Sequence, residues 1–258
     1  MSKRSEKRPP RAERATWERK LARVIWEVFK KPDKEKSRGR QYIEAIVVAV
    51  LLASVIRAFV IQGFRIPSGS MEDTLLIGDV LFANKFIYGA KVPFTGWRLP
   101  ALSKPKQGDI VIFEYPGDPS TDFIKRCVAT EGQVVHIVDK KLYVDGKRFR
   151  DPPGSKFGHP YIIPEGRGSR DNFGPYKVPP GHLFMMGDNR DNSRDSRFWG
   201  PLAKEYVKGK GMVLYWSWRP DSRAPRFRSV LSAPKILAYN LIHLPQRVRW
   251  SRIGRIVR

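Results

Sequence analysis

A serine motif is the first feature whose residue types and spacing could carry catalysis. The stretch "IPSGSMEDTLLIGD", residues 66–79, places Ser68 and Ser70 on either side of a glycine, directly after an apolar region. A serine hydroxyl is a weak nucleophile at neutral pH and needs a neighbouring base. The chain has 4 histidines, and none stands in a recognisable triad setting. If Ser70 is a nucleophile, its base must be another residue type.

A lysine in a predicted strand can supply that base. Burial disfavours the ammonium and lowers the pKa of a lysine by several units. The stretch "DFIKRCVA" predicts a strand with Phe123, Lys125 and Cys127 on one face. Because Phe and Cys usually point inward, the lysine between them is predicted to be buried. A strand lysine more often faces solvent and an S-x-S motif is more often a turn, so the hypothesis rests on their combination.

The single cysteine and the polar loop at 187–200 each allow more than one interpretation. Cys127 is interpreted as a small buried hydrophobe, with a reactive thiol as the alternative. The loop "GDNRDNSRDSRFWG" has the carboxylates of a calcium site but lacks the glycine that an EF-hand has at its sixth position. We therefore expect no metal. The loop either caps its own backbone or presents Ser193 to a buried lysine, with Asp195 and Arg197 paired to hold its shape.

Four stretches together resemble bacterial type I signal peptidases, the Ser/Lys class of endopeptidases. They are "IPSGSMEDTLLIGD", "KQGDIVIFEYP", "DFIKRCVA" and "GDNRDNSRDSRFWGPL", in this order over residues 66–202. The resemblance implies that Ser70 is the nucleophile and Lys125 the general base. It implies an oxyanion hole from the Ser68 hydroxyl and the Ser70 N–H, and no cofactor.

The resemblance also assigns supporting residues and a substrate. Ser193 would orient the lysine amine, Asp195 and Arg197 would support the loop, and Met71 would line the site. The substrates would be secretory preproteins, cut after small residues in an A-x-A pattern. The predicted edge of the substrate pocket consists of Phe64, Ile66, Pro67, Asp122 and Ile124. One departure is Asp73, where the family usually has proline, and we expect the loss of a fixed φ to loosen that turn.

The charge of the chain indicates an anionic partner. The formal net charge is +24, and residues 1–41 contain 15 Lys/Arg against 6 Asp/Glu. Residues 222–258 contain nine Lys/Arg and no acid. Nucleic acid and anionic lipid both fit such a charge. Because the charge lies mainly in the two ends, outside the four motifs, we expect membrane phospholipids and no nucleic acid.

The order of segments predicts a membrane-anchored enzyme. Residues 1–41 are predicted to be a basic cytoplasmic tail, in which an amphipathic helix at 17–29 either lies on a membrane surface or is solvated. Residues 42–63 are predicted to be an uncleaved transmembrane anchor of the cell membrane, with the N-terminus cytoplasmic and the following domain outside. The basic region before it is too long for a secretory signal, and no small-residue cleavage site follows.

The domain after the anchor is predicted to be mainly β, with a folded or closed sheet. Within 64–222, five stretches read as strands: "DIVIFEYP", "DFIKRCVAT", "QVVHIVDKKLYVDGKRF" with a tight "DG" turn, "HLFMMGD" and "GMVLYWSW". Residues 146–180 are predicted to be a Pro/Gly-rich insertion. Residues 223–258 are predicted to be a basic C-terminal tail, either interfacial or disordered.

Two other classes of protein share parts of this pattern. Self-cleaving repressors also use a Ser/Lys dyad, but they are soluble and carry a DNA-binding domain, so the anchor argues against them. A membrane-anchored β domain that only binds lipid or nucleic acid is the other alternative. Substitution of Ser70 would abolish cleavage in an enzyme and leave binding intact in a binding protein.

Overall fold

The computed structural model describes residues 37–257 except 93, 94, 96, 226 and 228. The predicted tail up to residue 36, with its helix at 17–29, lies outside the described residues. The chain divides into two units, with the boundary between residues 53 and 54.

Helix α1, Arg38–Phe59, is 22 residues long and has no buried residue. At about 1.5 Å per residue it is long enough to cross a membrane, and its composition is apolar enough. The predicted bounds of 42–63 differ from those of the helix. Strand β1, Ile61–Arg65, follows at once and pairs with the next strand. Hydropathy alone does not distinguish the apolar end of a helix from an apolar strand. The predicted anchor therefore extended to residue 63, into β1.

The second unit is mainly β, as predicted, and contains two antiparallel sheets. The strands are β1, β2 (Asp79–Asn84), β3 (Ile110–Tyr115), β4 (Asp118–Thr130), β5 (Val134–Val138), β6 (Lys141–Val144), β7 (Lys147–Arg148), β8 (Phe173–Lys177), β9 (His182–Met186), β10 (Leu202–Ala203) and β11 (Val207–Ser217). The large sheet has the order β1-β2-β11-β3-β4-β9-β10, and the small sheet has the order β7-β6-β5-β8. The five strand stretches identified in the sequence become β3, β4, β5 to β7, β9 and β11.

The small sheet is formed largely by a hairpin with the predicted tight turn. Asp145 and Gly146 between β6 and β7 both have positive φ, at 52° and 75°, as a two-residue hairpin of the primed type requires. The predicted insertion at 146–180 supplies β7 and β8, and β8 pairs with β5. Part of this segment is therefore integral to the sheet.

The core of the large sheet positions the serine motif and the lysine strand. One buried cluster contains Phe64, Ile66, Met71, Leu75, Leu81, Ala83, Ile110, Ile112, Leu214 and Val257, with Ile124 packed against it. Met71 and Leu75 thus anchor the segment after β1 from both sides of its turn. Ile124 belongs to the same cluster and brings the middle of β4 against this segment.

The C-terminal region is folded onto the second unit. It contains helices α3 (Ala233–Ile242) and α4 (Leu244–Arg247), and α2 is the short helix Ser196–Trp199 earlier in the chain. Val248 forms a bridge with Trp218, and Arg252 Nη2 contacts the buried Asp79 carboxylate at 2.6 Å. Residues 247–257 pack against β11 and its neighbours, so they are not a disordered tail. The interfacial alternative stays a prediction.

Candidate active site

Ser70 lies in the 3-10 turn Gly69–Met71. This turn begins four residues after the end of β1 at Arg65. The turn is fixed on its far side because Met71 is 2% exposed and its sulfur accepts the Asp188 N–H at 3.4 Å. The Asn189 N–H donates to the Ser70 carbonyl oxygen at 3.1 Å. The hydroxyl of Ser68, an exposed residue, lies 3.4 Å from Ser70 Oγ.

Lys125 reaches this serine from strand β4. Its Nζ lies 2.5 Å from Ser70 Oγ and 5.3 Å from the centre of the Phe123 ring. The residue is 4% exposed, so its predicted burial is confirmed. Cys127, two positions further along, belongs to a buried cluster, and the half-buried Phe123, two positions before, packs against the same cluster.

Burial dominates the electrostatics of this lysine. Desolvation lowers the pKa of Lys125 to about 8, and the Asp195 and Asp188 carboxylates oppose that effect. Arg197 adds to the lowering because its positive charge disfavours a second cation nearby. The ammonium still predominates below pH 8, but the neutral amine is far more populated than in an exposed lysine with its ordinary pKa of 10.5. A neutral amine can accept a proton from a hydroxyl.

The loop at 187–200 packs behind the lysine. The Arg197 guanidinium donates to both oxygens of the Asp195 carboxylate at 2.8 Å. Asp195 also caps α2 by accepting the Arg197 N–H and accepts the Gly187 N–H at 3.1 Å. The sequence-based pairing of Asp195 with Arg197 is thus present, with each side chain almost fully buried.

The loop does not make the hydrogen bond that was expected from Ser193. This residue is buried, but its Oγ has no hydrogen-bond partner among the described residues. Ser193 Oγ and the Ser70 carbonyl oxygen both lie close to Gly187. A Cβ placed on Gly187 would collide with each of these two atoms. The expected bond from Ser193 to Lys125 is therefore not formed in this structure, although Ser193 lies behind the serine turn.

The three carboxylates that suggested a metal loop are each engaged by a cation. Asp188 pairs with Arg126, and Asp191 pairs with Lys140 at 2.8 Å. Asp195 pairs with Arg197, as above. No group of three or more His, Cys, Asp or Glu that could hold a metal occurs within the described part of the chain.

The ion pair between Arg126 and Asp188 is a feature that the sequence did not predict. Arg126 Nε and Nη2 donate to the two oxygens of Asp188 at 2.8 and 2.7 Å, and both side chains are buried. The Thr74 hydroxyl donates to the same carboxylate at 2.6 Å. Asp188 therefore joins β4, the serine segment and the loop. No local pattern in the sequence marks this pair, because the two residues are 62 positions apart.

A cleft of about 410 Å³ opens beside Ser70 and Lys125. Its lining contains Ile66, Pro67, Ser68, Gly69, Ser70, Met71, Thr121, Asp122, Phe123, Ile124, Lys125, Asn192 and Arg194. Four of the five predicted pocket residues are in this lining. The fifth, Phe64, is 7% exposed and belongs to the core cluster instead, because the alternation of β1 points it inward. Asn192 and Arg194 were not predicted, since loop residues follow no periodic pattern.

Cys127 behaves as a small buried hydrophobe. It is fully buried, and desolvation raises the pKa of its thiol to about 12. Because the thiolate is the reactive form, the alternative of a reactive thiol is not supported.

The turn after the serine differs from the expectation for Asp73. This residue has φ of 75°, while Glu72 before it has φ of −53° and ψ of 146°. The Thr74 N–H donates to the Met71 carbonyl at 3.1 Å, so the four residues have the φ pattern of a type II turn. Proline cannot adopt a positive φ. Asp73 therefore does not loosen a turn built for proline, because the turn in this structure has another shape.

Comparison with known proteins defines the class first. The family model "Signal peptidase, peptidase S26" matches residues 39–216. The chain therefore belongs to the signal peptidase family of peptidases and is a peptide hydrolase. It is 34% identical over 221 residues to signal peptidase I of Pseudomonas aeruginosa, covering 74% of this chain and 78% of the relative. It is 30% identical over 266 residues to signal peptidase I of Aquifex aeolicus, covering 84% and 98%.

Proposed function

We propose that the chain cleaves secretory preproteins by a Ser70–Lys125 dyad, after small residues, at the outer surface of the cell membrane. As a member of its family, the chain removes signal peptides from preproteins. The observation that carries the dyad is the 2.5 Å distance between Lys125 Nζ and Ser70 Oγ. The burial that lowers the pKa of this lysine to about 8 supports it independently.

The proton route follows from this pair. Neutral Lys125 accepts the Ser70 hydroxyl proton as Oγ attacks the scissile carbonyl. The resulting ammonium returns the proton to the leaving amine, which departs as the new N-terminus. Neutral Lys125 then takes a proton from a water molecule, which attacks the acyl-enzyme. As the acyl–oxygen bond breaks, the ammonium returns this proton to Ser70 Oγ and the signal peptide leaves with a new C-terminal carboxylate.

The negative charge of the tetrahedral intermediate requires donors aimed at the oxyanion. Ser70 is the second residue of a 3-10 turn, and the N–H groups of the first turn of a helix lack partners within the helix. Its N–H and the Ser68 hydroxyl would together stabilise the oxyanion. In other hydrolases, loss of one such donor lowers kcat by roughly 10²–10³-fold. Met71 lines the site, while Asp195 and Arg197 hold the loop behind the lysine.

The cleft supports binding of an extended peptide with small side chains. Residues 122–125 of β4 pair with β3 on one side, and the described pairing with β9 begins only at Arg126. The free edge of these residues can therefore accept a substrate as an added strand. Ile66 and Ile124 are apolar residues of the cleft lining, and with Pro67 and Asp122 they would form shallow pockets. Such pockets fit the alanines of an A-x-A site.

Helix α1 supports a single-pass anchor. It has the length and composition for crossing a membrane, and the basic residues before it favour a cytoplasmic N-terminus. We propose the domain organisation predicted from the sequence, with the anchor bounds moved to 38–59. Phospholipids are then permanent neighbours of the chain, and no nucleic acid is required.

The test is cleavage of a preprotein by the detergent-solubilised full chain, with the cut mapped by mass spectrometry. Ser70→Ala and Lys125→Ala should each abolish a cut that the unaltered chain makes after A-x-A. Ser251→Ala and Lys141→Ala remove the same groups from exposed positions and should keep full activity. Cleavage that survives Lys125→Ala would contradict the dyad, and a cut elsewhere would contradict the specificity.

A further inference from the structure

Arg194 is an exposed cation in the lining of the cleft beside Ser70 and Lys125. Its guanidinium lies over the Tyr115 ring, 5.8 Å from the ring centre. Within the described part of the chain, no carboxylate pairs with this guanidinium and no acceptor takes a hydrogen bond from it. The side chain therefore has an unused positive charge at a place where a substrate would lie.

The other charges of the cleft lining leave this cation unbalanced. The lining contains two further charged residue types, Asp122 and Lys125. Lys208 Nζ pairs with the Asp122 carboxylate at 2.6 Å, so this acid already has a counterion. Lys125 serves in the proposed dyad as a neutral amine. A peptide in the cleft thus meets the positive charge of Arg194, which favours a carboxylate on the substrate over an ammonium.

A stack of aromatic rings holds the Arg194 side chain in place. Tyr115 stacks on Phe123 with ring centres 4.4 Å apart, and Trp199 packs edge-on against Tyr115 at 6.2 Å. The Trp199 indole N–H also donates to the Arg194 carbonyl oxygen at 3.3 Å. A guanidinium that already rests on a ring loses less rotamer freedom when it binds a partner. Arg194 is therefore prepared for contact with a substrate.

The alternation of β4 determines which substrate residue meets Arg194. Phe123 packs against one buried cluster, and Ile124 packs against another cluster, which contains Ile66. A peptide added to the free edge of β4 points successive side chains to opposite faces in the same way. When the two alanines of A-x-A face Ile124 and Ile66, the residue x between them faces the side of Phe123 and Arg194.

We propose that Arg194 selects the middle residue of the A-x-A site by charge, so that substrates with Asp or Glu at x are cleaved in preference to those with Lys or Arg. This inference rests on the proposed function and adds a preference at a position that needs no small side chain. The contact would be a charge-assisted hydrogen bond from the guanidinium to the carboxylate at x. Because the pair is exposed to solvent, the expected preference is modest.

The experiment compares three preproteins that differ only at x, with A-E-A, A-Q-A or A-K-A before the cut. The detergent-solubilised full chain cleaves each, and mass spectrometry maps the cut. The kcat/KM of the glutamate substrate should exceed that of the lysine substrate by at least about threefold. Arg194→Glu should reverse this order, and Arg194→Gln should abolish it. Sodium chloride at about 1 M should remove most of the preference, because it screens charges beyond about 3 Å.

Arg148→Glu is the matched control. Arg148 is an exposed arginine of β7, and its guanidinium also lies over a tyrosine ring, 6.0 Å from the centre of Tyr143. It does not line the cleft beside Ser70. This variant changes the charge of the chain as much as Arg194→Glu does and should keep the preference for glutamate. Reversal of the preference by both variants would attribute it to the overall charge and overturn the inference.

Two further outcomes would overturn the inference alone. One is equal cleavage of the three substrates, and the other is a glutamate preference that persists in Arg194→Glu. A second series places the charge at the first residue after the cut, which by alternation faces the same side as x. A preference there and none at x would assign Arg194 to the mature N-terminus instead. Absence of any cut after A-x-A would contradict the proposed function, and this inference with it.

Discussion

Arg126 and Asp188 form a buried bidentate ion pair next to Lys125 in β4. Arg126 Nε and Nη2 donate to the two carboxylate oxygens of Asp188 at 2.8 and 2.7 Å. Asp188→Asn removes the carboxylate that neutralises the Arg126 guanidinium. We expect this change to lower the free energy of unfolding by roughly 3–5 kcal/mol, because it leaves a buried charge without its counterion. Denaturant unfolding of the full chain in detergent measures the effect.

Two controls separate the ion pair from general sensitivity. Glu114→Gln affects a more exposed ion pair with Lys91 and should cost less than about 1 kcal/mol. The double variant Arg126→Met/Asp188→Leu should recover much of the loss, since two apolar groups leave no charge unpaired. A cost for Asp188→Asn as small as that of Glu114→Gln would contradict the proposed role of the pair.

The activity should depend on pH through Lys125. In the proposed dyad only the neutral amine accepts the Ser70 proton, so kcat/KM should rise with pH and reach half of its plateau near pH 8, the pKa that burial imposes on Lys125. A pH series with a peptide substrate in detergent provides the measurement. A rate that climbs only near pH 10, the ordinary range of lysine, would show that this amine is not the base.

Stability should also depend on pH through Lys125, and the free energy of unfolding should rise with pH. The pKa of Lys125 is lower in the folded chain, about 8, than its ordinary value of 10.5. Below pH 8 the folded state carries the full cost of a buried ammonium, roughly 3 kcal/mol. Between pH 8 and 10.5 the unfolded state binds more protons, so the free energy of unfolding rises with pH.

Lys125→Met tests this because methionine fills a similar volume without a charge. We expect the variant to be more stable than the unaltered chain at pH 7. The difference should disappear as pH rises above 10.5. Thermal unfolding in detergent at a series of pH values shows the trend. A constant difference across the series would mean that methionine changes packing only.

Local signals predicted the turn at Ser70 and the burial of Lys125, whereas the pairing of these two residues, 55 positions apart, was implied by the resemblance to a known family. The alternation around Lys125 lies within one strand, and the serine motif lies within one turn. The partner of Arg126 is 62 positions away in sequence, and it depends on the register between β4 and β9. Arg252 lies 173 positions from Asp79. No local pattern marks a basic residue that pairs with a distant buried acid. The charge composition of residues 223–258 therefore predicted a tail, and the ion pair of Arg252 with Asp79 was missed.

The backbone after the strand β9 requires glycine at 187. A Cβ there would collide with the Ser70 carbonyl oxygen and with Ser193 Oγ. Because the Ser70 carbonyl is backbone, Gly187→Ala must displace the turn that contains Ser70 or the loop at 187–200. We expect kcat to fall by at least about 10²-fold, since a misplacement of about 1 Å has that effect. Gly181→Ala is the control, because a Cβ there meets no atom within 4 Å, although its positive φ adds strain.

The measurement for Gly187→Ala is a kcat and KM determination with thermal unfolding on the same sample. Activity lost in a folded protein supports the close approach as a positioning device. Activity equal to that of Gly181→Ala would show that the backbone adjusts without moving Ser70.

Residue 73 should tolerate glycine and reject proline, although the family usually has proline there. The φ of 75° at Asp73 is accessible to glycine and, with some strain, to Asp and Asn. Asp73→Pro forces φ to about −65°, so the type II turn that starts at Met71 must change its shape. We expect a loss of more than about 1 kcal/mol in the free energy of unfolding and lower kcat, because Ser70 directly precedes that turn.

Two matched variants isolate the backbone effect at this position. Asp73→Asn removes the charge, including its 4.0 Å contact with Lys156, but keeps a side chain that accepts positive φ. Asp73→Gly removes the side chain and relaxes the strain. We expect both to retain activity and Asp73→Gly to be at least as stable as the unaltered chain. If Asp73→Pro were as stable and active as these two, the turn would have to adopt a negative φ at residue 73, and the geometry after Ser70 would be the one that proline favours.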